Sequence, residues 1–139
     1  MIESSHTGIW TTLTRDGWPI SLPIWFLAVD RAVYVRTPDG AKKLARIRND
    51  DRGCFLVERG ENWAELAAVE VPVRASVVDD PKIEKEVLGR LDAKYHAFRT
   101  AGSKMPSATK KHYGSATLIR LEPCGKLLTW DNSRLRLLG

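Results

Sequence analysis

Asp16-Gly17 stands between two runs rich in β-branched and aromatic residues, Gly8 to Thr14 and Trp18 to Leu27. Asp-Gly in that setting favours the left-handed backbone angles of a tight hairpin, so the chain begins with antiparallel pairing. Pro19 and Pro23 lie in the second run. Each lacks a ladder donor, which predicts an edge strand or a bulge at those points. Asp30-Arg31 makes the next turn and Ala32 to Thr37 a third strand. The opening is therefore an antiparallel meander.

Thr37-Pro38-Asp39-Gly40 breaks the β pattern, and from Ala41 to Asn49 the spacing is helical. Ala41, Leu44 and Ile47 share one side, while Lys42, Lys43 and Arg46 lie largely on another. Asp39 or Gly40 is placed to cap this helix. Gly53 to Glu58 reads as a buried strand, and Glu65 to Val78 as a long strand that Pro72 should bulge or bend. Asp79-Asp80-Pro81 signals a helix start, an Asp cap with Pro at the first helical position. Ile83, Val87, Leu88, Leu91 and Tyr95 then give an amphipathic helix over Pro81 to Phe98. Ala101 to Ser107 is loop-like; Ala116 to Leu121 and Lys126 to Trp130 are the closing strands. Six or seven short antiparallel strands with two helices make an α+β, mainly β fold, expected as a closed or half-closed barrel in a single domain, 1–139.

A chain of 139 residues can bury a core without disulfide or metal staples. With 43% apolar and 28% charged residues it falls outside the disordered class. Cys54 and Cys124 have no CxxC partner and are expected to be small buried thiols. Leu22 to Val29 is too short an apolar run to cross a bilayer, and no basic region followed by an apolar one opens the chain. The expected location is the cytoplasm, with no membrane partner. The net charge of +5 sits mostly in Lys42 to Arg52, Lys104 to Lys111 and Arg134 to Arg136. Basic strands interleaved with aromatics are missing, which ranks a nucleic-acid partner last. His6, His96 and His112 have no metal-ligand spacing, and no Gly-rich nucleotide loop occurs. His112-Tyr113 precedes the last strands and reads as a pocket approach or as an exposed or capping pair.

The order of motifs is more telling than any one of them. Pro19-x-x-x-Pro23-x-Trp25-Phe26, a hairpin, Tyr34-x-x-Thr37 and a basic helix opened by Lys43 resemble the pyridoxamine-phosphate-oxidase-like split β-barrels. Within these the chain is similar to the small actinobacterial type described as flavin- or deazaflavin-dependent oxidoreductases. The family's helix reads Lys-x-x-Asn-Ile-Arg followed by Asp-Pro-Arg; here Lys43 to Arg48 and Asp50-Asp51-Arg52 stand in those places. Val77 to Pro81, Lys94-Tyr95, Leu118 to Pro123 and Thr129-Trp130-Asp131 resemble its later junctions and closing strands. The resemblance runs from Gly8 to about Leu135, with Arg46 where the family has Asn, Asp51 where it has Pro, and Val73 where Gly is common.

The resemblance implies a coenzyme F-420 or FMN cofactor, and a homodimer with cofactor sites at the subunit interface. Residues Trp130 to Arg136 would then belong to the partner's site. Such a cofactor carries its own redox centre, so the lack of a visible catalytic triad is no objection and the catalytic residues stay unassigned. Its anionic tail needs cations and backbone donors, which Thr37, Gly40, Lys42, Lys43 and Arg46 offer around a helix N-terminus. The alternative for these residues is a solvated basic face. Trp25, on a strand shaped by Pro23, is the candidate to pack beside the ring, or it fills the core or a dimer contact. Trp63 lines a substrate mouth or makes a surface or dimer contact, and Trp10 and Trp18 read as core or cross-strand partners. The leading expectation is hydride transfer between F-420 and a small organic substrate. An FMN-dependent enzyme of the same fold and a non-catalytic carrier or sensor are the alternatives.

Overall fold

The computed structural model describes residues 1–100, 104, 106 and 115–135. Its elements in chain order begin with strands β1 (Gly8–Leu13), β2 (Pro19–Ile24), β3 (Leu27–Val29) and β4 (Ala32–Pro38), followed by helix α1 (Lys42–Asn49). Then come β5 (Arg52–Arg59), β6 (Ala67–Val77), helix α2 (Pro81–Tyr95), β7 (Ala116–Pro123) and β8 (Leu128–Asp131). Short 3-10 turns cover Trp63–Glu65, His96–Phe98 and Asn132–Arg134. The mainly β, α+β class expected from sequence is what forms.

The strands pair antiparallel in the order β2-β1-β5-β6-β7-β4-β3, with β8 beside β6. The two end strands, β2 and β3, are separated in the chain only by Trp25 and Phe26. A sheet whose outermost strands are so tethered has to curl. The sheet is thus a curled half-barrel whose end strands are joined through the chain at Trp25-Phe26 rather than by a hydrogen-bonded ladder, and that junction is the seam. Inside lie Trp10, Ile24, Phe26, Val33, Val35, Phe55, Val57, Val71, Val73, Ile119 and Leu121, and α1 adds Leu44 and Ile47 to this core. Each aliphatic side chain so buried is worth roughly 1.5–3 kcal/mol. On the other face of β3 and β4, α2 packs Val87, Leu91 and Tyr95 against Leu27, Ala32, Tyr34 and Leu118.

Local chemistry explains the turns. Gly17 takes φ +83° in the first hairpin, which is a three-residue loop closed by Thr14 N–H donating to the Trp18 carbonyl. Asp30 and Arg31 both have positive φ, 50° and 61°, as a two-residue primed turn between Val29 and Ala32 requires. Asp80 accepts from Lys82 N–H at 2.9 Å with Pro81 in the first turn, the cap expected for α2.

Several expectations need correction. Trp18 to Leu27 is two strands, not one, because the seam interrupts it; the sheet path has seven strands, with β8 added beside β6. Pro19 and Pro23, by contrast, sit on an edge strand as expected, and without a bulge, the β1–β2 register being continuous. Pro72 neither bulges nor bends the β5–β6 ladder. It marks a fork: the first part of β6 pairs with β8 and the last part with β7. Its carbonyl accepts from Cys124 N–H, so its missing donor points into the gap between those partners. The residue before α1 is Ala41, and neither Asp39 nor Gly40 caps that helix. The helix from Pro81 becomes 3-10 at His96. Trp10 is buried as expected; Trp18 is 72% exposed, which excludes the core, while its backbone bonds Thr14 across the hairpin. Cys54 is half-buried and Cys124 exposed, so neither is the buried thiol expected.

Gly89 lies inside α2 with open space where a Cβ would stand. Gly89→Ala should raise stability by about 0.5–1 kcal/mol, since only the glycine's extra chain entropy is lost. A urea midpoint at or below that of the unaltered protein would show that the glycine is needed there.

Candidate functional site

The junction of β4 and α1 gathers most of the chain's unusual polar chemistry. Thr37 faces the barrel interior next to the end of β4, is fully buried, and its hydroxyl has no hydrogen-bond partner among the described residues. A buried hydroxyl left that way costs free energy unless something else binds it. The chain then turns through Asp39 and Gly40 into α1, whose first turn has no side-chain cap. Asp39 is tied down instead of capping: its carboxylate accepts from Ser115 Oγ and from Thr117 Oγ1, the latter at 2.6 Å. Those two bonds, Ser115 first, hold its pKa below the usual value. They fix the β4–α1 turn against the start of β7.

One turn into α1, Lys43 and Arg46 stand together as neighbours three residues apart. Lys43 is half-buried, and burial first, then the nearby Arg46 charge, pushes its pKa down. Arg46 Nε donates to Thr12 Oγ1 of β1 at 2.7 Å. None of the ion pairs among the described residues includes either cation, although six other basic residues find a carboxylate. Two adjacent, partly desolvated cations, a partnerless hydroxyl and an uncapped helix start make a site suited to an oxyanion.

The seam is a second polar feature. Tyr95 Oη accepts from Phe26 N–H at 2.9 Å and lies 2.9 Å from the carbonyl oxygens of both Phe26 and His6, to one of which it donates. Lys94 Nζ donates to the Phe26 carbonyl at 2.8 Å and sits 3.9 Å from the centre of the Phe26 ring. Burial lowers the Lys94 pKa and is the main cause that raises that of Tyr95. Trp25 stacks flat on Tyr95, ring centres 4.4 Å apart at 6°, and stays 38% exposed.

Thr37, Gly40, Lys42, Lys43 and Arg46 thus fall together at the β4–α1 junction, with Gly40 in open space and Lys42 exposed. Pro23 does not join them: it pairs with Ile9 on the edge strand and is exposed. Trp25 belongs to the seam. Trp63, 56% exposed, lies in the turn at the far end of the β5–β6 hairpin from the α1–β5 connection. His112-Tyr113 and Arg136 lie outside the described residues. Thr12 was not among the sequence candidates. Period-two alternation does place it on the buried side of Trp10, and a hydroxyl there calls for a partner.

Solved structures share the architecture. A conserved hypothetical protein of Mycobacterium tuberculosis, Rv2991, matches with a TM-score of 0.78 at 23% identity, over 99% of this chain and 86% of that one. The haem-storage protein HutZ of Vibrio cholerae gives 0.73 at 12% identity, over 94% and 92%. A structure named F420 reductase gives 0.66 at 18% identity, over 91% of each chain. At these identities the likeness shows the fold alone. No curated protein matches the sequence. The family model described as pyridoxamine 5'-phosphate oxidase, however, matches residues 1–124, which takes in the seam, the β4–α1 junction and every strand but β8, and the chain belongs to that family.

Proposed function

We propose that this protein is an oxidoreductase that binds a flavin-type cofactor, coenzyme F-420 in the first instance and FMN as the alternative, and moves a hydride to or from a small organic molecule. The observation that carries the reading is the β4–α1 junction. Among the described residues, Lys43 and Arg46 have no carboxylate and the buried Thr37 hydroxyl has no partner. These residues fit the anionic part of such a cofactor: Lys43 supplies charge, Arg46 a planar fork of donors and Thr37 a hydroxyl. When bound, the cofactor supplies the redox centre through its own ring. The chain orients it and shields it from water. Similarity to a structure named F420 reductase supports the choice of cofactor. A non-catalytic carrier is the second reading, favoured by the likeness to a haem-storage protein.

We extend the reading to a homodimer. Leu128, Glu70, Leu56 and Ile9 fall in one cross-strand row on the outer face of the sheet, apolar but for Glu70, with Trp130 one row away. Leu128 and Trp130 are 63% and 59% exposed. A second copy covering that face would bury Leu128 and Trp130.

Titration with F-420 and with FMN, followed by tryptophan quenching, tests the reading directly. Lys43→Ala should weaken the preferred cofactor about tenfold, roughly 1.4 kcal/mol, without lowering the melting temperature. Equal affinity in that variant removes the junction as the site. Tight binding with no turnover against any acceptor supports the carrier.

A further inference from the structure

Thr12 is 2% exposed, on the Trp10 side of β1 among apolar side chains. A hydroxyl in that place must be bonded or it destabilises the fold. Its partner is Arg46 Nε, at 2.7 Å. A guanidinium has five N–H donors in a rigid plane, so fixing Nε fixes the direction of the rest. The remaining four, on Nη1 and Nη2, have no partner among the described residues. The Nη1–Nη2 edge left free can take two oxygens of a phosphate or carboxylate side by side.

We propose that Thr12 is a positioning residue: by accepting from Arg46 Nε it aims the two Nη groups as a fork at a phosphate- or carboxylate-type oxyanion of the bound cofactor. The proposal rests on the reading of the β4–α1 junction as the cofactor's anion site. Lys43, a point charge on a flexible stem, attracts the anion but cannot orient it. Charge and orientation at this site are therefore carried by different residues. The oxyanion is either the single phosphate of FMN or one of the acidic groups on the tail of F-420.

Two matched pairs of probes separate these sources without any measurement of turnover. Riboflavin and FMN differ by the phosphate; the deazaflavin chromophore without its tail and intact F-420 differ by the tail. For each pair the ratio of dissociation constants, bare chromophore over full cofactor, reads the anion site alone. Thr12→Val, which keeps the shape and removes the acceptor, should lower the ratio about tenfold for one pair, while Thr12→Ser keeps it. Arg46→Lys should lower it as far as Thr12→Val, because charge is retained and the fork is lost. A fall confined to the riboflavin–FMN pair assigns the oxyanion to FMN, and one confined to the deazaflavin pair assigns it to F-420. Unchanged ratios in Thr12→Val and Arg46→Lys, with a lowered ratio in Lys43→Ala, overturn the positioning role but keep the site. Unchanged ratios in all three overturn the site itself. Should Thr12→Val fail to fold, Arg46→Lys decides by the same criterion.

Discussion

Gly53→Ala is expected to be among the most damaging small substitutions in this protein, lowering stability by about 3 kcal/mol. A Cβ on Gly53 would overlap the carbonyl oxygen of Thr11, a backbone atom of the adjacent strand that has no rotamer to escape into. Relief requires moving β1 away from β5. That breaks the end of a short pairing, Ile9 with Leu56 to Thr11 with Cys54. The next residue along β1 is Thr12, so the same shift should release Arg46 and weaken anion binding together with the fold. Urea denaturation measures the first effect and FMN or F-420 titration the second. A midpoint equal to that of the unaltered protein would mean that β1 and β5 can separate at no cost.

Tyr95→Phe should cost about 1–3 kcal/mol, for a different reason. The ring, its burial in the α2 core and its stack on Trp25 all remain. What goes is the hydroxyl that accepts from the buried Phe26 N–H and donates to a backbone carbonyl beside it. No ladder crosses between β2 and β3 in the described pairing, and that hydroxyl and Lys94 Nζ bind the Phe26 backbone at the seam to α2. Chemical denaturation should show the loss, with faster amide exchange at Phe26 than in the unaltered protein. A stability change below about 0.5 kcal/mol would show that Phe26 N–H has found another acceptor.

Much of this fold was legible because its signals are local. Asp16-Gly17 announces its hairpin, Asp80-Pro81 its helix, and Leu44 with Ile47 the buried side of α1. The features that escaped depend on residues far apart in the chain. Nothing near Trp25-Phe26 says that the strand must stop there, because the reason is Tyr95, which ties down that backbone from α2. Pro72 suggested a bulge, the commonest local solution, whereas the tertiary solution was to place its missing donor where two partner strands give way to each other. For the candidate site, helical spacing was enough to put Lys43 beside Arg46. It could not reveal that Thr12 holds Arg46, nor that Trp63 lies at the other end of a hairpin.

The fork on β6 has a kinetic consequence. The β5–β6 hairpin, with β1 and β2 beyond it, makes one run of the sheet; β3 and β4 make another. Only β7 lies between them, pairing with β6 on one side and β4 on the other. Until residues 116–123 have been synthesised, both halves therefore end in an unpaired strand edge. Insertion of β7 between them is a long-range, high-contact-order event, and such pairings form slowly. The vulnerable species during biosynthesis is thus a nascent chain that has passed α2 but not yet reached β7, with two open edges ready to recruit each other in neighbouring molecules.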